Sequence, residues 1–206
     1  MTNTWKDYLL KSSIPLEFEV KKFLDSRGCI CDFEYSYLRL DENSIPKEFS
    51  YDIDASYIRD EHFVELMIEC KYRHQSTKWV FIPEKYGGYQ EVYPNSFMHP
   101  NDHFCRKKKF RYSSSFPIEL ASLCIKGIEI NTSGHDTKSI SHAVSQLSYA
   151  FSQKVVSGME HQIEQLLGSS DFIFYNVPVI VTTASLFRLK NDVSISAIQK
   201  SKELSE

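Results

Sequence analysis

The feature that most constrains this chain is the run FVELMIECKY at 63–72, which passes without a glycine, a proline or any other breaker. An extended strand turns successive side chains to opposite faces. That period places Glu65, Met67, Glu69, Lys71 and Arg73 on one face, and Leu66, Ile68, Cys70 and Tyr72 on the other. Apolar residues on both faces predict a central strand, covered from both sides. Carboxylates and an ammonium carried into such a place must each be compensated once water is removed. The run therefore predicts both a buried sheet and something that neutralises its charge.

The neighbouring segments supply the rest of a sheet. Leu16, Val20, Phe23 and Leu24 recur at helical spacing opposite Lys21, Lys22 and Asp25, so an amphipathic helix is expected over 15–27, ended by Gly28. Segments 31–40 and 49–58 are rich in Tyr, Phe and Ile and flank turn-like residues at 41–46, which predicts a hairpin. A short strand at 79–82 would continue the meander. From 83 to 117 the pattern dissolves into Gly87, Gly88, Pro94, Pro100 and many polar residues, which marks an inserted excursion. Asp136 is a plausible N-cap for a helix to about 167, with Ile140, Val144, Leu147, Ala150, Phe151 and Val155 on one face and Gly158 as a break or kink. A β-branched strand over 172–183 follows, where Pro178 calls for an edge position or a bulge. A polar helix from about Ser194 closes the sequence.

At 206 residues with 42% apolar content the chain can bury a sizeable core, and one domain, 1–206, is expected. A formal charge of -3 gives no global basic field, so nucleic-acid contact would have to come from local clusters. Five cysteines form neither a CxxC pair nor an even framework, and no apolar leader is present; a reducing cytoplasmic setting is expected. No apolar stretch approaches the roughly 20 residues of a membrane span.

On the strand before the central one, alternation aligns Asp52, Asp54 and Ser56 opposite Tyr51, Ile53, Ala55 and Tyr57. Pairing of the two strands is expected to bring Asp54 beside Glu69. A bound divalent cation would compensate these carboxylates, because Mg²⁺ takes oxygen ligands from one or two of them and otherwise keeps waters or substrate phosphate. Asp54, Glu69 and the Cys70 carbonyl would then be its ligands, with Mn²⁺ as a substitute. Such a metal polarises a phosphate and acidifies water, while Lys71 would orient that water and stabilise developing charge. The plain alternative is a solvated salt bridge between Glu69 and Lys71, worth little. No GxxxxGK, GxGxxG, HExxH or GxSxG occurs, so no nucleotide motor, dinucleotide site, zincin helix or serine elbow is predicted.

An Asp on one strand and Glu-x-Lys on the next, after an amphipathic helix, resembles the PD-(D/E)XK restriction-endonuclease-like superfamily. The matching segments here are SYDIDAS and VELMIECKYR, with Ile53 standing where the family proline would precede Asp54. The resemblance implies an α/β fold with a mixed central β-sheet flanked by helices, and metal-dependent phosphodiester hydrolysis with Asp54 and Glu69 as metal ligands and Lys71 as catalytic cation. It extends to Glu17 as a helix-borne carboxylate, also a metal ligand, and to Gln146 on the helix after the motif. DNA is the implied substrate, in restriction, repair or defence, and cutting both strands would call for a homodimer. A catalytically inactive nuclease-fold module for nucleic acid or protein, and an RNA-directed nuclease, remain open beside it, as do further domains or protein partners.

Two weaker clusters complete the reading. Arg106, Lys107, Lys108, Lys109 and Arg111, interleaved with Phe110 and Tyr112, suit phosphate contact with stacking, or a solvated loop. Arg73, His74 and Lys78 follow the catalytic strand and could contact the backbone flanking the cut. His99, His103, Cys105 and Cys124 match no standard zinc spacing, and are expected to be ordinary loop residues.

Overall fold

The computed structural model describes residues 5–40, 43–83, 91–92, 99–101, 104, 118–119, 124–165, 172–189 and 194–200. Helix α1 (Trp5–Lys11) buries none of its residues. It leads through Ser12 and Ser13 into α2 (Ile14–Ser26), where Pro15 sits in the first turn, a place at which a missing N–H breaks no helical bond. Gly28 ends α2 as expected. Its φ of 84° is left-handed, and its amide returns to the Asp25 carbonyl at 3.0 Å, which closes the last turn.

Three strands follow as an antiparallel meander: β1 (Ile30–Leu40), β2 (Pro46–Arg59) and β3 (His62–Lys71). The expected fourth strand does not extend it. β4 (Lys78–Pro83) crosses into a second sheet, the excursion contributes β5 (Glu91–Val92) and β6 (His99–Asn101), and β7 (Ile118–Glu119) follows it directly. Then come β8 (Cys124–Asn131), β9 (Gly134–Asp136), α3 (Ser139–Gln165), β10 (Ile173–Thr182), β11 (Ser185–Arg188) and α4 (Ile195–Lys200). The larger sheet has the order β1-β2-β3-β10-β6, the second β11-β4-β8-β9, and β5 pairs with β7 alone. β10 runs parallel to β3 and antiparallel to β6. The chain is thus α/β, with mixed sheets flanked by helices.

Two apolar clusters sandwich the larger sheet. On the α2 side, Leu24 with Leu16 and Val20 packs on Cys31, Ile53, Ala55, Ile68 and Cys70. On the α3 side, Leu147 and Ala150 pack on Tyr37, Tyr51 and Met67. A third cluster joins Ile140, in the first turn of α3, to Trp79 and Ala184. One helix therefore ties the two sheets together.

Gly158 does not break α3, which runs through it. A Cβ there would meet Asn101 Nδ2 at 2.9 Å and Phe174 Cγ at 3.3 Å, so glycine lets β6 and β10 approach the helix. Asn101 is fully buried and donates to the Val155 carbonyl at 2.8 Å. Part of the excursion is thereby sewn into the main sheet. Pro178 lies beyond the β6 pairing, which covers only 174–176 of β10. At Pro178 β10 is paired with β3 alone among the described residues, which makes that stretch an edge, as a proline there calls for.

Candidate active site

The site forms where β2 and β3 part. Their pairing runs from Arg59↔His62 to Ile53↔Ile68 and stops. The next amide of β3, that of Cys70, is taken instead by the Asp52 side chain, with N–H to Oδ2 at 2.6 Å. A carboxylate inserted into the ladder holds the two strands open. Glu69, 1% exposed, lies alongside. Its Oε1 accepts from Lys71 Nζ, while its Oε2 is buried with no partner.

Burial pushes Asp52 up from its ordinary 3.8 to about 6. The Cys70 N–H opposes that rise, and the charges of Glu69 and Glu17 add to it. Burial likewise raises Glu69, against the hydrogen bond and charge of Lys71 and together with Glu17. Glu17, in the first turn of α2, is thus close enough to be felt by both carboxylates. Asp52 thus feels the charge of Glu69, and both feel that of Glu17, with Lys71 as the cation bound to Glu69.

Asp54 is elsewhere. Tyr51 donates to its Oδ1 at 2.7 Å, and Lys154 of α3 donates to its Oδ2 at 2.7 Å and to Glu65 Oε2 at 3.2 Å. Ser56 completes this network by donating to Glu65 Oε1 at 3.1 Å. Burial would lower the Lys154 pKa, but the two carboxylates outweigh it and the net shift is upward. The expected pairing of Asp54 with Glu69 therefore gives way to Asp52 with Glu69. The cause is a break in period. Tyr51 packs against α3, yet Ile53 packs against α2, so the alternation slips at Asp52. The β1–β2 register skips the same point, opposite Glu34 with its φ of 54°. The pairing keeps one register on either side of that gap, so no residue is inserted; both strands change face there, with Cys31 and Ile53 on the α2 side and Tyr35, Tyr37 and Tyr51 on the α3 side.

The other predicted residues divide. The Cys70 thiol belongs to the α2-side core, and burial pushes it up to about 12, so only its main chain remains for a ligand. Gln146 reaches the right strand, donating to the Ser50 carbonyl at 3.2 Å, two residues before Asp52. Tyr37 donates to the Gln146 carbonyl at 3.0 Å. Arg73 is committed to the buried Glu129, Nε to Oε2 at 2.6 Å, and to the Tyr72 carbonyl at 2.9 Å. Trp79 and Ser139 also donate to Glu129. Burial tends to raise Glu129, but these donors, Arg73 first, pull it below its ordinary value. His74 is exposed and bonds Ser76 at 2.9 Å, and Lys78 stacks over Phe187 at 5.2 Å. Arg106, Lys107, Lys108, Lys109 and Arg111 lie outside the described residues, as do His103 and Cys105; Cys124 opens β8 and is exposed.

Among the described residues no three of His, Cys, Asp and Glu converge as a ready set of ligands. Mg²⁺ does not require three, since one or two carboxylates suffice beside waters and phosphate. Asp52 and Glu69 supply two, and the orphaned Glu69 Oε2 is an acceptor that a cation would satisfy. The residues fit such an ion, with Glu17 at its edge.

Beside the site lies a cleft of about 490 Å³, bordered by Lys11, Ser13, Lys71, Arg73, Lys138 and His142. Lys154, which holds Asp54 and Glu65, is not singled out by the sequence reading, although its position betrays it. Ala143, Leu147, Ala150 and Lys154 fall on one helical stripe, and an ammonium there calls for buried carboxylates opposite. Lys11 and Lys138 carry no comparable signal. Among the described residues no helix is long and apolar enough to cross a membrane. Protein-family models, curated proteins and solved structures were compared with this chain, and none matches it.

Proposed function

We propose that the chain is a metal-dependent nuclease hydrolysing phosphodiester bonds of DNA, with Asp52 rather than Asp54 as the strand-borne metal ligand. The observation that carries this reading is the Asp52 carboxylate on the Cys70 amide beside Glu69 and Lys71. It puts Asp and Glu-x-Lys side by side where the strands separate. The order of elements supports it as well: a helix carrying Glu17, three antiparallel strands, a helix carrying Gln146, and a strand parallel to the third. The PD-(D/E)XK resemblance implies a mixed sheet flanked by helices, to which this order conforms, and fold alone would not carry the function.

In this reading Asp52 and Glu69, with the Cys70 main chain, would hold Mg²⁺ or Mn²⁺, which would supply polarisation of the scissile phosphate and acidification of an attacking water. Glu69 fixes the Lys71 ammonium at the end of β3. Lys71 then places a positive charge where the phosphate gains negative charge, and it can orient the water's lone pair. Gln146 secures the β2 segment that carries Asp52.

The test is cleavage of plasmid and linear DNA with Mg²⁺ or Mn²⁺, beside matched RNA. Lys71→Ala and Asp52→Asn are expected to lose at least a hundred-fold in rate, as roughly expected for removing a preorganised charge. Asp54→Asn is expected to retain cleavage. Equal rates in wild type and Lys71→Ala would sink the proposal, and cleavage of RNA alone would redirect it.

A further inference from the structure

We infer that the cleft at the start of α3 is a backbone-phosphate subsite, in which Lys11 and Lys138 hold a nucleic-acid phosphate adjoining the one at Lys71. This rests on the nuclease reading for its substrate class. The argument begins with which cations in the cleft are free to act. Lys71 is bound to Glu69, and Arg73 to Glu129. Asp136, the acid that borders the cleft, has its Oδ1 on the Lys138 amide at 2.7 Å, where it shapes the turn into α3. Lys11 and Lys138 remain. Both are exposed, and among the described residues neither is in an ion pair.

Two lysines, from positions 11 and 138 of the sequence, border this one concavity. Two helix starts border it too. Ser13 is the N-cap of α2 and makes no capping bond with its side chain, and Ser139 opens the long α3. Helix N-termini present unsatisfied N–H groups and the positive end of the helix dipole. Uncommitted lysines, a free serine hydroxyl and two such ends form a place that favours an anion. The overall charge of -3 makes this concentration local rather than general. The opening lies beside Lys71, which lines the same cleft, so a polynucleotide with one phosphate at Lys71 would offer the next to Lys11 and Lys138. A phosphate contact of this kind fixes register and adds no base preference.

The test is fluorescence anisotropy of a labelled DNA duplex, and of one strand of it, titrated with the full chain in chelator over a KCl series. For Lys11→Ala with Lys138→Ala, the slope of log affinity against log salt is expected to fall by about 0.9 for each lysine on duplex and about 0.7 on single strand. Lys126→Ala, on the second sheet, is the control and is expected to leave the slope unchanged. A wild-type slope in the double variant overturns the subsite while leaving the nuclease reading intact. If the double variant flattens the slope but Asp52→Asn cleaves as wild type does, the subsite stands and the nuclease reading falls. If the wild-type chain binds neither DNA at low salt, both fall together.

Discussion

Replacing Asp52 with Asn separates the proposed roles of Asp52 and Asp54, because it is expected to stabilise the protein while abolishing cleavage. The carboxylate is held at about 6 against an ordinary 3.8, chiefly by burial. At about 1.4 kcal/mol for each pH unit of that difference, the folded metal-free chain carries roughly 3 kcal/mol against ionised Asp52. Water reaching this half-buried group makes that an upper bound. The sign follows from the raised value. Between 3.8 and about 6 the folded chain holds the proton more tightly than the unfolded one, so this cost is absent below 3.8, grows through that window and is complete above it. Asn removes the charge and keeps an oxygen for the Cys70 N–H. In chelator at pH 8 the variant should therefore melt higher, by up to roughly 6–12 °C if each kcal/mol moves a chain of this size by about 2–4 °C. At pH 4 the gain should nearly vanish. Added Mg²⁺ should raise the melting temperature of wild type only, because a ligand stabilises the state that binds it. Scanning calorimetry at both pH values, with and without Mg²⁺, reads all of this. A variant no more stable than wild type at pH 8 in chelator would refute the account of Asp52 as a strained ligand awaiting a cation.

The polar network around Lys154 is structural on the same reasoning. Lys154→Ala leaves Asp54 and Glu65 facing each other, only 18% and 13% exposed, and should cost about 3 kcal/mol in urea denaturation, in the range for orphaning a buried charge. Gly158→Ala should lower stability by up to roughly 2 kcal/mol net, because the clash with Asn101 and Phe174 costs roughly 1–3 kcal/mol against a gain of about 1 kcal/mol in helix propensity; a variant more stable than wild type would show that Asn101 can yield.

Much of the fold was legible because hydrophobic period is a local signal. The α2 stripe of Leu16, Val20 and Leu24 and the two-sided β3 run each declare their packing in the sequence. Gly28 stopped α2 for the reason its type suggests, since a positive φ suits glycine. Less legible was anything set by partners distant in the chain. β4 reads as one more strand of a meander, yet its register is with β8 and β11, a choice that no property of 79–82 dictates. Gly158 looks like a helix breaker until Asn101 and Phe174 are seen to need the space a side chain would fill.

The site shows the same division at finer grain. Glu69 and Lys71 could be placed together because they are two residues apart on one unbroken strand, where alternation holds. Choosing between Asp52 and Asp54 required alternation to hold along β2 as well, and there it fails by one residue. The irregularity at Glu34 and Asp52 turns Tyr51 and Ile53 to opposite faces without shifting the pairing register, and it is Asp52 whose carboxylate meets the Cys70 amide. The sequence held a clue in composition rather than in period: Tyr51, Asp52 and Ile53 cannot all be satisfied by strict alternation if Tyr51 must meet Leu147 while Ile53 meets Leu24. Only the positions of α2 and α3 on opposite faces make that requirement visible. Once they are known, the residue at the slip is the one left pointing along the sheet, and a carboxylate in that position can reach the next strand's free amide. The irregularity thus coincides with the point where the β2–β3 ladder ends and the Asp52 carboxylate takes the Cys70 amide.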